Sequence, residues 1–237
     1  TTTDATPASE QWLSMMGKAF MRGDIVLGYT SIEQGKGLAN YLIRLSRMQI
    51  STYWLSRAVM GKTYRGSRHN IGFTKSLYFS VKGFTHLNMN IGENDLFIQS
   101  IAFDNNASVV LIPKGRMIEN QWGGLRWWIA HLHHYGEAYR YYPIAARNAM
   151  EWDLGSQSLF FLCSLVALVA MPLEFKAAAA LLLLIRYLTA MLRARSIAKR
   201  VGEKGVALRY FIFDIVNPVL MLCTRIAMMR KDSTAWK

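Results

Sequence analysis

With 237 residues, 52% of them hydrophobic, the chain is long enough for one large domain or two modest ones. Its formal net charge of +13 is lopsided: residues 186–237 carry eleven Lys/Arg against three Asp/Glu, among or beside apolar segments. That placement suits a cytoplasmic, anionic lipid face and argues against a nucleic-acid partner, while two cysteines in apolar stretches, without Cys/His ligand spacing, exclude a disulfide framework and a zinc site.

In chain order, TTTDATPASE has no positively charged n-region and no apolar h-region, so no signal peptide is expected. Ser9, after Pro7, reads as the N-cap of a helix with Trp12, Met15, Met16 and Phe20 at helical spacing. Residues 24–29 (DIVLGY) read as a short strand. From about 37 to 60, Leu38, Tyr41, Leu42, Leu45, Met48, Trp54, Leu55 and Val59 fit an amphipathic surface helix, decorated by Arg44, Arg47 and Arg57 and broken near 50–52. It lies either on a core or against a membrane.

Glycines 66, 72 and 83 punctuate the next stretch, with a strand expected at 71–73 and a short helix at 75–81. GENDLFIQ at 92–99 starts a helix whose first turn carries Glu93, Asn94 and Asp95 and whose Leu96, Phe97 and Ile101 face inward. Acids so placed either complement the helix N-terminus, worth about 0.3–1 kcal/mol, or do chemistry. Residues 108–112 (SVVLI) read as a strand, and 121–142 are dense in Trp, His and Tyr.

Beyond Asp153 the chain changes solvent. Residues 154–173 form a run of twenty without a charge, enough to cross a hydrocarbon core of about 30 Å. A second span is expected at 177–192, where Arg186 must snorkel or face protein. Residues 193–204 read as a basic hinge, and 206–224, with Asp214, Asn217 and Pro218, as an interfacial or re-entrant segment. A hairpin of two spans returns the basic hinge to the side of the polar half, as the positive-inside bias prefers. One clear and one marginal span do not make a transport pathway.

Taken in order, TTTDATPAS, MGKTYRGSRHNIGFTKSLYFSVKGF, GENDLFIQ, WWIAHLHHY and the apolar segments before a basic tail resemble bacterial membrane-anchored family-2 glycosyltransferases of the Bacteroidetes type. The resemblance covers the whole chain and corresponds to the latter part of such an enzyme. It implies an α/β fold, the latter half of a GT-A nucleotide-diphospho-sugar transferase, over residues 1–150, and a membrane region over 151–237. The nucleotide-binding half is expected upstream of Thr1.

The resemblance also implies roles. Asp95 matches the general base that takes a proton from the acceptor hydroxyl, with Asn94 where an acid is usual and Glu93 as the base should the register shift. Asp4 matches the second acid of the motif that holds a divalent ion, Mg²⁺ or Mn²⁺, with Thr2 in place of the first; by itself Asp4 also reads as a turn residue before Pro7. His131 and His134 stand where Gln and Arg usually orient the acceptor and the diphosphate. By themselves, His131, His133 and His134 also read as a metal site, or as part of an interfacial aromatic belt with Trp127 and Trp128. Asn70, with Arg68 beside it, matches an acceptor-side Asn, or else makes a local Asx-turn. The expected partners are a nucleotide sugar, a lipid-linked or polysaccharide acceptor, and the lipids of the bacterial cytoplasmic membrane. The alternative is a catalytically lapsed or truncated relative that serves as a membrane assembly partner.

Overall fold

The computed structural model describes residues 1–83, 93–103, 105–120, 123–206 and 210–229, except the side chains of Glu93, Leu125, His134, Glu137 and 227–229. The chain is mixed α/β, with two small three-stranded sheets wrapped by helices. In the first sheet, β6 (Met117–Glu119) lies between β1 (Ala5–Pro7, antiparallel) and β3 (Thr30–Ile32, parallel). In the second, β2 (Ile25–Gly28) lies between β4 (Ile71–Phe73, antiparallel) and β5 (Ala107–Val110, parallel). All four residues of β2 are buried, as a central strand with helices on both sides requires.

Helix α1 (Trp12–Ala19) is not capped by Ser9, whose hydroxyl instead accepts the Gln11 N–H one step before the helix. Helix α2 (Leu38–Val59) runs unbroken through 50–52, because the Thr52 hydroxyl bonds back to the Met48 carbonyl without interrupting the ladder. It is a core helix rather than a surface one: Leu42, Ile43, Leu45, Met48, Trp54 and Leu55 are buried, at about 1.5–3 kcal/mol each. Arg44, expected on its outer face, is buried too. The helix stops where Gly61 takes φ +73° and the Lys62 N–H reaches back to the Arg57 carbonyl, a Schellman closure.

Helices α3 (Lys75–Ser80) and α4 (Glu93–Ile101) follow the expected positions, the first capped by the Thr74 hydroxyl. In α4 the inward set is Phe97, Ile98 and Ile101, with Leu96 half-buried. Helix α5 (Leu125–Tyr139) carries the aromatic-rich stretch.

The last three helices differ from the expected bounds. Helix α6 (Ile144–Ala170) starts ten residues before the uncharged run and stops because Met171 precedes Pro172 and is held extended. Helix α7 (Leu173–Val201) absorbs most of the predicted basic hinge. Both are long and apolar enough to cross a membrane, and side chains such as Leu159, Leu162, Val169, Leu181 and Leu192 lie exposed along them. Helix α8 (Tyr210–Met229) is continuous rather than re-entrant, although Pro218 lies inside it.

A second Schellman closure ends α7. Gly202 takes φ +78°, and the Glu203 N–H bonds the Ala198 carbonyl. The turn aims Glu203 back into the globular part, where Arg44 meets it at 2.5 Å and the Tyr29 hydroxyl donates to it at 3.0 Å. Arg116 bonds the Gly202 carbonyl, and the Tyr41 hydroxyl the Val206 carbonyl. The end of the apolar hairpin is thereby fastened to the body that carries the cavity.

Candidate functional site

A cavity of about 470 Å³ opens between α2, α4, α5 and residues 65–69. Gly66 lies so close to Ile71, Leu27 and Ile98 that a Cβ there would overlap Ile71 at 2.7 Å, so the crossing of the chain from Arg65 to His69 runs tight against the core. Asn70 anchors that crossing. Its amide nitrogen donates to the Tyr29 and Gly115 carbonyls at 2.8 and 3.0 Å, and its carbonyl oxygen accepts the Trp12 indole N–H. Asn70 is fully buried with its polar atoms engaged in the framework, so it does not line the cavity as the acceptor-side expectation had it. Arg68 and Asn94 do line it.

Asp95 sits in the first turn of α4, 7% exposed, on the cavity wall. Its Oδ2 accepts the Tyr142 hydroxyl at 2.6 Å and lies 3.4 Å from Arg65 Nε. Burial pushes its pKa up; Arg65, the Tyr142 hydroxyl and the Gly66 N–H oppose that shift only in part. A carboxylate raised in this way holds a proton more readily than a solvated one, which is the property a general base needs. Glu93 opens the same helix, but its side chain is outside the described residues.

His131 faces the cavity from α5, stacked on Trp127 at 5.0 Å and 3.0 Å from Arg47 Nη2. The His134 side chain is outside the described residues. The possible metal ligands converge elsewhere, among Asp4, His69 and Glu119, whose donor atoms all lie within 4.8 Å of one another. His69 Nδ1 is 3.4 Å from Asp4 Oδ1, and its Nε2 is 3.5 Å from Glu119 Oε2. Burial, together with Arg47 and Arg68, pulls the His69 pKa down to about 4, so the ring is neutral at pH 7, and its Nε2 accepts from Arg68 Nε at 3.4 Å.

Asp4 Oδ1 is buried without a hydrogen-bond partner and could take an ion, whereas His69 would first have to give up Thr2 or Arg68. Glu119 fits less well, because Arg47 holds it at 2.7 Å. Burial raises the Asp4 pKa, but the Thr2 hydroxyl, His69, its own N–H and Arg68 outweigh that and leave it lowered, an ionised carboxylate at neutral pH. An imidazole nitrogen in the set suits Mn²⁺ better than Mg²⁺, which prefers oxygen throughout. Thr2 keeps a place at the site, its hydroxyl 2.5 Å from His69 Nδ1.

Sequence reasoning missed His69, Glu119, Arg47, Arg65 and Tyr142. Arg65 and His69 stood in the YRGSRHN stretch beside residues that were singled out. Glu119 and Tyr142 carry no local signal, because strand pairing and helix packing alone bring them in. No protein-family model matches the chain, and no curated protein matches it.

Proposed function

We propose that the chain is the acceptor-side part of an inverting glycosyltransferase of the GT-A type, working at the cytoplasmic face of a bacterial membrane. One observation supports it above the rest: Asp95, with its raised pKa, faces a cavity whose far rim, through Arg68 and His69, reaches Asp4. An acceptor hydroxyl in the cavity gives its proton to Asp95 as its oxygen attacks the anomeric carbon of a nucleotide sugar. The bond to the diphosphate oxygen breaks on the opposite face, so the configuration inverts. Asp4, with His69 beside it, would hold a divalent ion, which would supply charge neutralisation for the departing diphosphate. Apolar helices α6 and α7 keep the cavity at the bilayer surface, where a lipid-linked acceptor or a growing polysaccharide is concentrated.

The test is a transfer and hydrolysis assay of the full-length, membrane-embedded protein, with the nucleotide-binding half expected ahead of Thr1, against a panel of nucleotide sugars with Mn²⁺ or Mg²⁺. Turnover of one donor, lost in Asp95→Asn, is the expected result; no turnover with any donor rejects the proposal. A non-enzymatic assembly role has one observation in its favour: Tyr142, Arg65 and the Gly66 N–H also suit a carboxylate that only holds structure. In that case Asp95→Asn lowers stability and there is no activity to lose.

A further inference from the structure

The cavity wall is short of acceptors. Arg65 Nε and Nη1, Trp128 Nε1 and Ser46 Oγ are all buried without a hydrogen-bond partner, and all three residues line the same space. Trp128 and Ser46 are each 2% exposed, so bulk water does not serve them. Native proteins seldom leave such donors unmet, and donors that share a cavity point to a ligand that brings the acceptors. The charge balance agrees. Among the described residues, Arg47, Arg65 and Arg68 face the cavity against one carboxylate, Asp95. Of these cations, Arg47 is engaged by Glu119, and Arg68 leans 3.4 Å from Asp4 on the outer rim. Arg65 is the third, its guanidinium carbon over the Tyr135 ring at 4.5 Å and its Nε 3.4 Å from Asp95. Tyr135 packs against one face of the guanidinium, and Nη1, which no protein acceptor meets, is left to bond an oxyanion.

We propose that the cavity binds an acceptor through an oxyanion, a phosphate or a carboxylate, gripped by Arg65 with Trp128 Nε1 and Ser46 Oγ, next to the hydroxyl that Asp95 addresses. Only the word acceptor rests on the glycosyltransferase proposal; the oxyanion site stands on the orphaned donors. Neutral sugars leave Arg65 unanswered and bind weakly here. The oxyanion has two possible sources, the phosphate of a lipid-linked acceptor and the carboxylate of a uronic-acid residue.

Binding is read from tryptophan fluorescence and calorimetry of the full chain in detergent. Inorganic phosphate, methyl glucuronide and methyl glucoside are compared, along with nanodiscs containing polyprenyl phosphate. At least one anionic probe should saturate the site, with methyl glucoside at least tenfold weaker. Tight binding of the polyprenyl phosphate discs identifies the lipid source, and tight binding of glucuronide the sugar source. Arg65→Gln should weaken the anion at least tenfold. Trp128→Phe, which removes the N–H together with the second ring, should weaken it severalfold and serves if Arg65→Gln does not fold. Asp95→Asn should tighten it, because a like charge is removed. Equal binding of glucoside and all the anions, or an anion affinity unmoved in folded Trp128→Phe and Arg65→Gln, overturns the proposal. Sugar transfer without anion selectivity removes the oxyanion site alone, whereas anion binding without transfer removes only the glycosyltransferase assignment.

Discussion

The Gln157 amide of α6 donates at 2.8 Å to the backbone carbonyl of Asp214 in α8, the acceptor that Pro218, four residues on and without an N–H, leaves open. The same amide also reaches Asp214 Oδ1, and Arg186 of α7 grips that carboxylate at 3.0 and 3.1 Å. The open carbonyl is thus answered by α6, while α7 holds the carboxylate beside it, the condition under which proline is tolerated in an apolar helix. Gln157→Leu should lower stability by about 1–3 kcal/mol, the cost of orphaning buried polar groups. Pro218→Ala restores the missing N–H and should recover part of that loss. Thermal unfolding in detergent gives the coupling of the two substitutions, and strict additivity would show that the amide and the proline act independently.

Asp95→Asn keeps the shape of the side chain and removes the base. Turnover should fall about 10²–10⁴-fold with donor binding kept. A base acts only when deprotonated, so activity rises with pH through the Asp95 pKa. Because that pKa is raised, the acid limb should lie above the ordinary carboxylate range. Tyr142→Phe removes one of the bonds that hold it down and should move the limb to still higher pH. A limb that does not shift in Tyr142→Phe means another group titrates.

His69 makes stability depend on pH. Its folded-state pKa of about 4 is below the ordinary value of 6.5, so between these limits the unfolded chain binds the proton and the folded chain does not. Stability from this residue is complete above 6.5 and is lost as pH falls toward 4, at up to about 1.4 kcal/mol per pH unit for one proton. Denaturation of His69→Gln over the same range should give a flatter profile than the parent. Identical profiles would place the neutral imidazole assignment in error.

The Arg44–Glu203 pair has 6% and 1% side-chain exposure. Glu203→Ala strands Arg44 and the Tyr29 hydroxyl in the core and should cost about 3–5 kcal/mol, whereas the paired change Arg44→Met with Glu203→Leu should cost much less. Chemical denaturation that ranks the double variant below the single one contradicts a buried, mutually dependent pair.

High-salt, detergent-free extraction should leave the chain in the membrane pellet. At about 1.5 Å rise per residue, α6 and α7 each exceed the roughly 30 Å of a hydrocarbon core. Recovery of the chain in the supernatant would limit these helices to peripheral contact.

The strands at 25–28 and 71–73, the helix opened by GENDLFIQ and the apolar hairpin were legible because each declares itself locally, through a short apolar run, acids in a first turn or an uncharged run. The inward turn of Arg44 was not: in isolation an arginine on a helix reads as solvent-facing, and only Glu203, 159 residues away, makes its burial affordable. Asn70 misled for the same reason. A loop asparagine looks available until the Gly28 surface, the Tyr29 and Gly115 carbonyls and the Trp12 indole close around it.

The sequence by itself determined that two apolar helices run through the second half of the chain, that short strands stand near 25–28 and 71–73, and that an aspartate stands in the first turn of α4. Period and composition act over a few residues, so they can be read without a fold. Only the tertiary structure decided that Asp95 meets Tyr142 and Arg65, that Asp4 shares His69 with Glu119, and that three buried donors open onto one cavity. Those encounters depend on burial and on pairing between distant segments, and the energy of a charge or a donor is set by what surrounds it in space.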